Sequence, residues 1–116
     1  MDWRPPIQID LYLTAAGESP FDGWLNGLRD RVGRAKIRVQ IDRLALGNPG
    51  KNRFLKGGVG ELRIEYGPGY RVYFARLSSS AVLLLCGGDK STQHSDLARA
   101  YENWADFQER LHGKST

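Results

Sequence analysis

The residues in this chain best suited to chemistry are its cations. Between positions 29 and 56 stand Arg29, Arg31, Arg34, Lys36, Arg38, Arg43, Lys51, Arg53 and Lys56, opposed only by Asp30 and Asp42. This is a local net charge of +7 in a chain whose overall formal charge is +4. Guanidinium and ammonium groups donate charged hydrogen bonds to phosphate, so the segment suits a nucleic-acid-facing surface. A solvated basic helix followed by a basic loop has the same composition, and charge alone leaves both readings open. Other chemistries are excluded by supply. One cysteine, Cys86, and two histidines, His94 and His112, do not furnish a Cys/His zinc site or a Cys-His-Asp constellation of the usual kind. Asp89 has no second carboxylate at ligand spacing and reads as a turn-former, so no metal and no organic cofactor is expected. The longest apolar run, Ala81 to Cys86, is far below the roughly 18 to 20 residues that span a bilayer, which excludes a transmembrane helix, and no membrane partner is expected. The first residues, Met-Asp-Trp-Arg-Pro-Pro, lack the basic-then-apolar form of a secretion signal, so the cytoplasm is the expected compartment.

These side chains need a scaffold, and 116 residues with 41% apolar content describe one domain, residues 1–116, with a single core. Ile7 to Leu13 alternates with the period of a strand that buries one face. Ser19-Pro20 offers an N-cap followed by proline at the first helical position, and Phe21, Trp24, Leu25 and Leu28 follow at helical spacing. The chain can turn around Asp30 to Gly33. A second helix is expected over Arg34 to Leu46, stopped by Gly47-Asn48-Pro49-Gly50. On it Ala35, Val39 and Leu46 oppose Ile37, Ile41 and Leu44, and two apolar faces imply two neighbours. Lys51 to Gly60 shows no regular pattern. Glu61–Tyr66 and Tyr70–Ala75 alternate on either side of Gly67-Pro68-Gly69, as in a hairpin. Setting Tyr66 opposite Tyr70 pairs Ile64 with Val72 and Leu62 with Phe74, and leaves Glu65 opposite Arg71 and Arg63 opposite Tyr73 on a polar face away from the core. Ala81 to Cys86 reads as a central strand ending at Gly87-Gly88, and a final amphipathic helix begins near Ser95. Trp24 and Trp104 fall on apolar helix faces and read as core. The expected fold is α+β in the order β-α-α-β-β-β-α: a small antiparallel sheet with an N-terminal helical hairpin packed on it and a C-terminal helix.

Taken in series, Gly47-Asn48-Pro49-Gly50, Gly58-Val-Gly-Glu-Leu-Arg-Ile64, Gly67-Pro-Gly-Tyr-Arg-Val-Tyr-Phe74 and Leu84-Leu-Cys-Gly-Gly-Asp-Lys-Ser-Thr-Gln93 resemble the addiction-module killer (HigB/RelE-like) branch of the RelE/ParE toxin superfamily. The resemblance runs from about Phe21 to Ala100. It implies the RelE/ParE-like fold, which agrees with the order read from the patterns. It also implies a toxin of a type II toxin–antitoxin module, neutralised by a cognate antitoxin that in this branch is usually a helix-turn-helix DNA-binding protein. Many relatives are endoribonucleases that cut messenger RNA on the ribosome and so inhibit translation, whereas the ParE branch poisons DNA gyrase without nuclease chemistry. The antitoxin is expected to cover the basic surface or an apolar groove left by the second and last helices.

Cleaving RNA without a metal requires the 2′-hydroxyl to lose its proton, the pentavalent phosphate to be stabilised and the departing 5′-oxygen to be protonated. Arg53, Arg63 and Lys90 can converge on one phosphate as charged donors, with Gln93 and His94 beside Lys90 completing the candidate catalytic set. By resemblance, the loop cation and the Glu-Leu-Arg-Ile arginine occupy positions where relatives keep functional basic residues. The family tends to have an acidic residue at Lys51 and lysine at Arg53; both departures raise the positive charge, and Arg53 is a poorer base than lysine. Arg34, Arg38, Lys51, Lys56, Arg71 and Tyr73 are the candidate RNA-binding residues. Structural readings stand beside these. Arg71 can pair with Glu65 or Glu61, Lys90 and Gln93 can close the turn before the last helix, and Tyr66, Tyr70 and Tyr73 can be packing residues rather than stacking faces for unpaired bases.

Overall fold

The computed structural model describes residues 2–113; Met1 and residues 114–116 of the expected domain lie outside them. The elements are β1 (Gln8–Leu11), α1 (Pro20–Gly27), α2 (Arg31–Ala45), β2 (Asn52–Phe54), β3 (Val59–Ile64), β4 (Tyr70–Ser78), β5 (Ala81–Asp89) and α3 (Gln93–Gly113), with short 3-10 turns at Lys56–Gly58 and Lys90–Thr92. The five strands form one sheet in the order β1-β5-β4-β3-β2. All pairs are antiparallel except β1 with β5. The α+β class is as expected. The additional strand β2 falls in the stretch where no pattern was legible, because three exposed residues carry no periodicity of their own and are ordered by pairing with β3.

Both faces of the sheet are covered. On one, Leu62, Ile64, Tyr70, Val72, Phe74, Val82 and Leu84 pack against Phe21 and Leu25 of α1 and Ile37 and Leu44 of α2. On the other, Val59, Tyr73, Ala75, Leu83, Leu85 and Cys86 pack against Ala100, with Leu97, Tyr101, Trp104 and Phe107 of α3 around them. The face expected to lie away from the core is therefore a second core, and the apolar run in β5 serves both sides. Trp104 is partly buried there and donates from Nε1 to the Gly57 carbonyl at 2.8 Å, while Tyr101 Oη donates to the Lys56 carbonyl at 2.8 Å, so α3 holds the basic loop as well as the core.

The β3–β4 hairpin keeps the expected faces with a register displaced by two. Ile64 lies opposite Tyr70, Leu62 opposite Val72, and Arg63 opposite Arg71. A shift of two preserves which side chains point inward, because the pleat repeats every two residues. The connection lengthens to Glu65–Gly69, with Gly67 and Gly69 at φ of 56° and 81°, conformations that glycine adopts without the clash a Cβ would bring. β5 continues through Gly87 and Gly88. A Cβ on Gly87 would lie 2.2 Å from the Trp24 ring, and one on Gly88 would lie 1.7 Å from Asp96 Oδ2. The glycine pair lets α1 and α3 approach opposite faces of one strand at the same level.

α1 begins as the sequence indicates, with Ser19 Oγ accepting from the Asp22 N–H at 3.1 Å. α2 starts three residues earlier than expected. Asp30 is its N-cap, accepting from the Gly33 N–H at 2.9 Å and from the Tyr70 hydroxyl at 2.7 Å, so Gly33 belongs to the first helical turn. Only one apolar face of α2 is buried: Ile37 and Leu44 are inaccessible, whereas Val32, Val39 and Leu46 are exposed. The second expected neighbour is absent among the described residues. The expected burial of one β1 face also holds only at its start, since Ile7 is buried and Leu11 and Leu13 are exposed at the sheet edge. α3 begins at Gln93 rather than Ser95, after a turn capped by Asp89, whose carboxylate accepts from the Ser91 N–H at 2.8 Å.

Two outcomes test this packing. Gly87→Ala should cost on the order of 1–3 kcal/mol in urea unfolding, because Trp24 or the strand must move; an unchanged midpoint would show the contact to be slack. Asp30 has its carboxyl held below the ordinary value, first by the Gly33 N–H and then by the Tyr70 hydroxyl. A depressed folded pKa contributes stability that is present above the unfolded value near about 3.9 and lost as pH falls through the folded value. Melting curves from about pH 5 down to about pH 2 should therefore show wild type converging on Asp30→Asn as pH falls; parallel curves would refute the cap's electrostatic part.

Candidate functional site

The site is built on a carboxylate that the alternation of β3 turns inward beneath α3. Glu61 is fully buried. In the β2–β3 ladder it lies opposite Arg53, and in the β3–β4 ladder opposite Tyr73. Arg63, two residues along the same strand, shares its face. Glu61 Oε1 accepts from Arg63 Nε at 2.8 Å and lies 3.8 Å from Arg71 Nε; Oε2 accepts from Gln93 Nε2 at 3.1 Å and lies 4.0 Å from Arg53 Nη2. Three strands and the first turn of α3 thus meet at one negative charge. Arg63 directly opposes Arg71, a like-charged pair that would repel across the ladder, and Glu61 compensates both.

Four of the candidate residues, Arg53, Arg63, Gln93 and Arg71, are brought together in this way. Arg71 is nearly buried and also donates from Nη1 to the carbonyls of Gly69 and Tyr70 at 3.2 and 3.3 Å, fastening the hairpin turn to the cluster. Its structural partner is Glu61, as one sequence reading held. Glu65 pairs instead with Lys51 at 2.6 Å on the surface, and that hydrogen bond holds the Glu65 carboxyl below its ordinary value.

Lys90 reaches the same place from another direction. Together with Arg63, Arg71, Glu65, Tyr66 and the Gly67-Pro68-Gly69 turn it lines a shallow depression of about 350 Å³. Lys90 is exposed and makes no ion pair among the described residues. The depression thus has three cations on its wall, two of them set by Glu61, and one carboxylate already engaged by Lys51. Its chemistry suits an anion of phosphate size. Among the described residues, no group of three or more His, Cys, Asp or Glu side chains is arranged to hold a metal ion.

The structure does not bring the other candidates to this point. His94 is exposed on the first turn of α3, with no hydrogen bond or ion pair to the cluster. Arg34 and Arg38 lie on α2, which packs on the opposite face of the sheet; Arg34 donates to the Leu28 carbonyl and Arg38 is exposed. Lys51 and Lys56 are exposed along the basic loop. Tyr73 needs correction as an RNA-stacking residue. It is fully buried under α3, its hydroxyl has no hydrogen-bond partner among the described residues, and burial first, then the Glu61 charge, pushes its pKa far up. Tyr70 is also buried, its hydroxyl committed to Asp30 and its pKa pushed up to about 12 by that burial. Of the three hairpin tyrosines only Tyr66 presents part of its ring, with Lys36 Nζ 5.1 Å from the ring centre. The residue that sequence reasoning left out of the site is Glu61. The available signal was the alternation itself, which puts Glu61 and Glu65 on the same strand face as Arg63.

A sheet enclosed between a helical hairpin and a terminal helix, with arginines gathered on a buried carboxylate beside an exposed lysine, defines a small α+β protein with a cation-lined depression. Residues 23–104 match the family described as Phage derived protein Gp49-like (DUF891), and the chain belongs to that family, a RelE-like toxin family of toxin–antitoxin systems. The matched span runs from α1 into α3 and contains the whole cluster. The chain is also similar to an uncharacterized protein of Haemophilus influenzae (strain ATCC 51907 / DSM 11121 / KW20 / Rd), 46% identical over 94 residues, which cover 81% of this chain and 89% of that protein.

Glu61→Gln keeps the shape and the Gln93 contact while removing the charge. Leaving the nearly buried Arg71 without its counter-ion should cost about 3 kcal/mol in equilibrium unfolding. A change below about 0.5 kcal/mol, the range of ordinary surface substitutions, would mean that the carboxylate does not organise the arginines.

Proposed function

We propose that this toxin is a metal-independent endoribonuclease of the mRNA-interferase type, acting in the cytoplasm on messenger RNA at the ribosome and neutralised by a helix-turn-helix antitoxin. The observation that carries the reading is the convergence of Arg63, Arg71 and Lys90 on one depression, with Arg53 and Gln93 held beside it by Glu61. An inhibitor that acts only by occupying a protein partner has no need of convergent phosphate donors.

In this reading the scissile phosphate sits against Arg63 and Lys90, with Arg71 behind them. The 2′-hydroxyl proton passes to water as the 2′-oxygen attacks phosphorus; the bond from phosphorus to the 5′-oxygen breaks as that oxygen takes up a proton; the products are a 2′,3′-cyclic phosphate and a 5′-hydroxyl. Charge grows on the non-bridging oxygens in the transition state, and guanidinium groups already fixed by Glu61 meet it without reorganising, which is where such a site gains most rate. Arginine does not give up a proton near neutral pH, so the exposed Lys90 ammonium is assigned the proton for the leaving 5′-oxygen, with the Tyr66 hydroxyl as the other acid on the wall of the depression. Glu65 is the carboxylate on its wall, kept ionised by Lys51 and correspondingly weak as a base. Tyr66 offers the ring face for a neighbouring base. Arg53, Lys51 and Lys56 continue the cationic surface along the basic loop and supply salt-dependent phosphate contacts. Arg34 and Arg38, on the far side of the sheet, would contact RNA only where it wraps beyond the site.

The test is primer extension on a message in a translating extract. Wild-type protein should create new 5′ ends only while ribosomes translate, equally with and without chelator. Lys90→Ala and Arg63→Ala should each slow cleavage by about 10²-fold, as losing one transition-state donor does, with unchanged circular dichroism. An intact message accompanied by inhibited gyrase supercoiling would overturn the ribonuclease reading and place the protein with the gyrase poisons.

A further inference from the structure

α2 carries an apolar stripe that this chain does not use. Val32, Ala35 and Val39 recur at i, i+3 and i+7 on the face turned from the sheet, and Val32 and Val39 are 52% and 46% exposed. β-branched residues are mediocre helix formers, so exposed valines on a helix bring neither helix propensity nor core. The stripe forms one wall of a groove of about 570 Å³, whose opposite wall is the end of β3 and the start of the hairpin turn, Arg63 to Tyr66, with Gly50-Lys51 closing one end. Lys36, Arg43, Lys51 and Arg63 stand on its rim, and its one acid, Glu65, is already paired with Lys51.

Resting on the toxin–antitoxin reading, we propose that this groove seats an acidic amphipathic helix of the neutralising partner. Its apolar edge would lie on Val32, Ala35 and Val39, and its carboxylates would face Lys36, Arg43 and Arg63. Val32 to Arg43 spans roughly 16 Å, so about three helical turns fill it. Charge selects the occupant, since a basic rim around an apolar wall matches a helix that is acidic and apolar. A second copy of this chain offers a rival helix, since the exposed side of α3 carries Glu102 and Glu109 beside Ala98, Ala105 and Leu111; Arg99 stands among them, and self-association of the free chain that protects residues 32–43 would overturn the proposal. RNA fits the groove less well, because Val32, Ala35 and Val39 on its α2 wall offer aliphatic surface and no ring on which a base could stack. Arg63 lines both this groove and the phosphate depression. A carboxylate held against it competes with phosphate, so docking neutralises the site without covering it.

The experiment co-expresses the full chain with the protein encoded beside its gene, isolates the complex and compares hydrogen exchange of the free and bound chain. Protection is expected over residues 32–43 and 63–66. Val39→Asp, and Lys36→Glu with Arg43→Glu, should each weaken the complex by about tenfold or more, the double reversal losing the salt dependence of binding. These side chains are exposed, so the free variants should melt like wild type and still cleave message. A complex that protects only other surfaces, such as Leu11, Leu13 and Phe107, or that binds Val39→Asp with unchanged affinity, overturns the proposal and leaves the toxin–antitoxin reading standing. Protection of the groove by a single-stranded RNA and not by the partner overturns it in favour of nucleic acid. Failure to form any complex removes the toxin–antitoxin reading itself, and the proposal with it.

Discussion

The arrangement of the site depends on one buried carboxylate. An ionised side chain removed from water is costly unless cations and hydrogen bonds surround it. Glu61 meets that requirement with contacts from β2, β3, β4 and α3. Each partner has its own reason to be there. Arg53 faces Glu61 across the β2–β3 ladder, Arg63 shares its strand face, Arg71 would otherwise oppose Arg63 unbalanced, and Gln93 arrives with the first turn of α3. The interaction joins the shortest strand, the central hairpin and the terminal helix at one point.

That point lies at the end of the sheet where the second core gives way to solvent. Toward the middle of β4 and β5, α3 seals Tyr73, Ala75, Leu85 and Cys86, and burial pushes the Cys86 thiol up to about 12, so it remains a neutral packing group. Toward the hairpin turn the cover stops, and Arg63 and Lys90 reach open space. The same helix that closes the core therefore sets the boundary of the site. Arg71 couples the two by holding the turn carbonyls with one edge of its guanidinium and facing Glu61 with another, so the shape of the depression and the orientation of its cations depend on each other. Lys90 owes its place to the Asp89-capped turn between β5 and α3.

The two faces of the sheet divide the labour. The α1–α2 side is a conventional apolar interior, tied by Tyr70 to the Asp30 cap of α2. The α3 side accepts a polar stripe inside a core, which the sheet tolerates because every charge in the stripe has an opposite within reach. α2 takes part in only one of these layers, and its remaining surface is left apolar and basic at once. Exposed apolar surface rimmed by charge is characteristic of places where proteins meet partners.

The amino-acid sequence by itself determined the element types, the inward face of each hairpin strand, the cap and proline start of α1, the basic character of the 29–56 segment and the family blocks, since all of these are written in local spacing. It also named Arg53, Arg63, Arg71 and Gln93. Tertiary structure decided the rest. β2 exists only through pairing with β3, a relation no three-residue window contains. The hairpin register moved by two because either alignment buries the same face and the turn glycines accept the longer loop. Tyr73 went inside because α3 crosses the sheet on its side, and that crossing is a choice between two faces that the last helix's amphipathic stripe cannot express. Glu61 became the centre of the site for the same reason: strand parity says which way a side chain points, and only the packing of a helix over it says whether it points into water or into a core, where its charge must be answered.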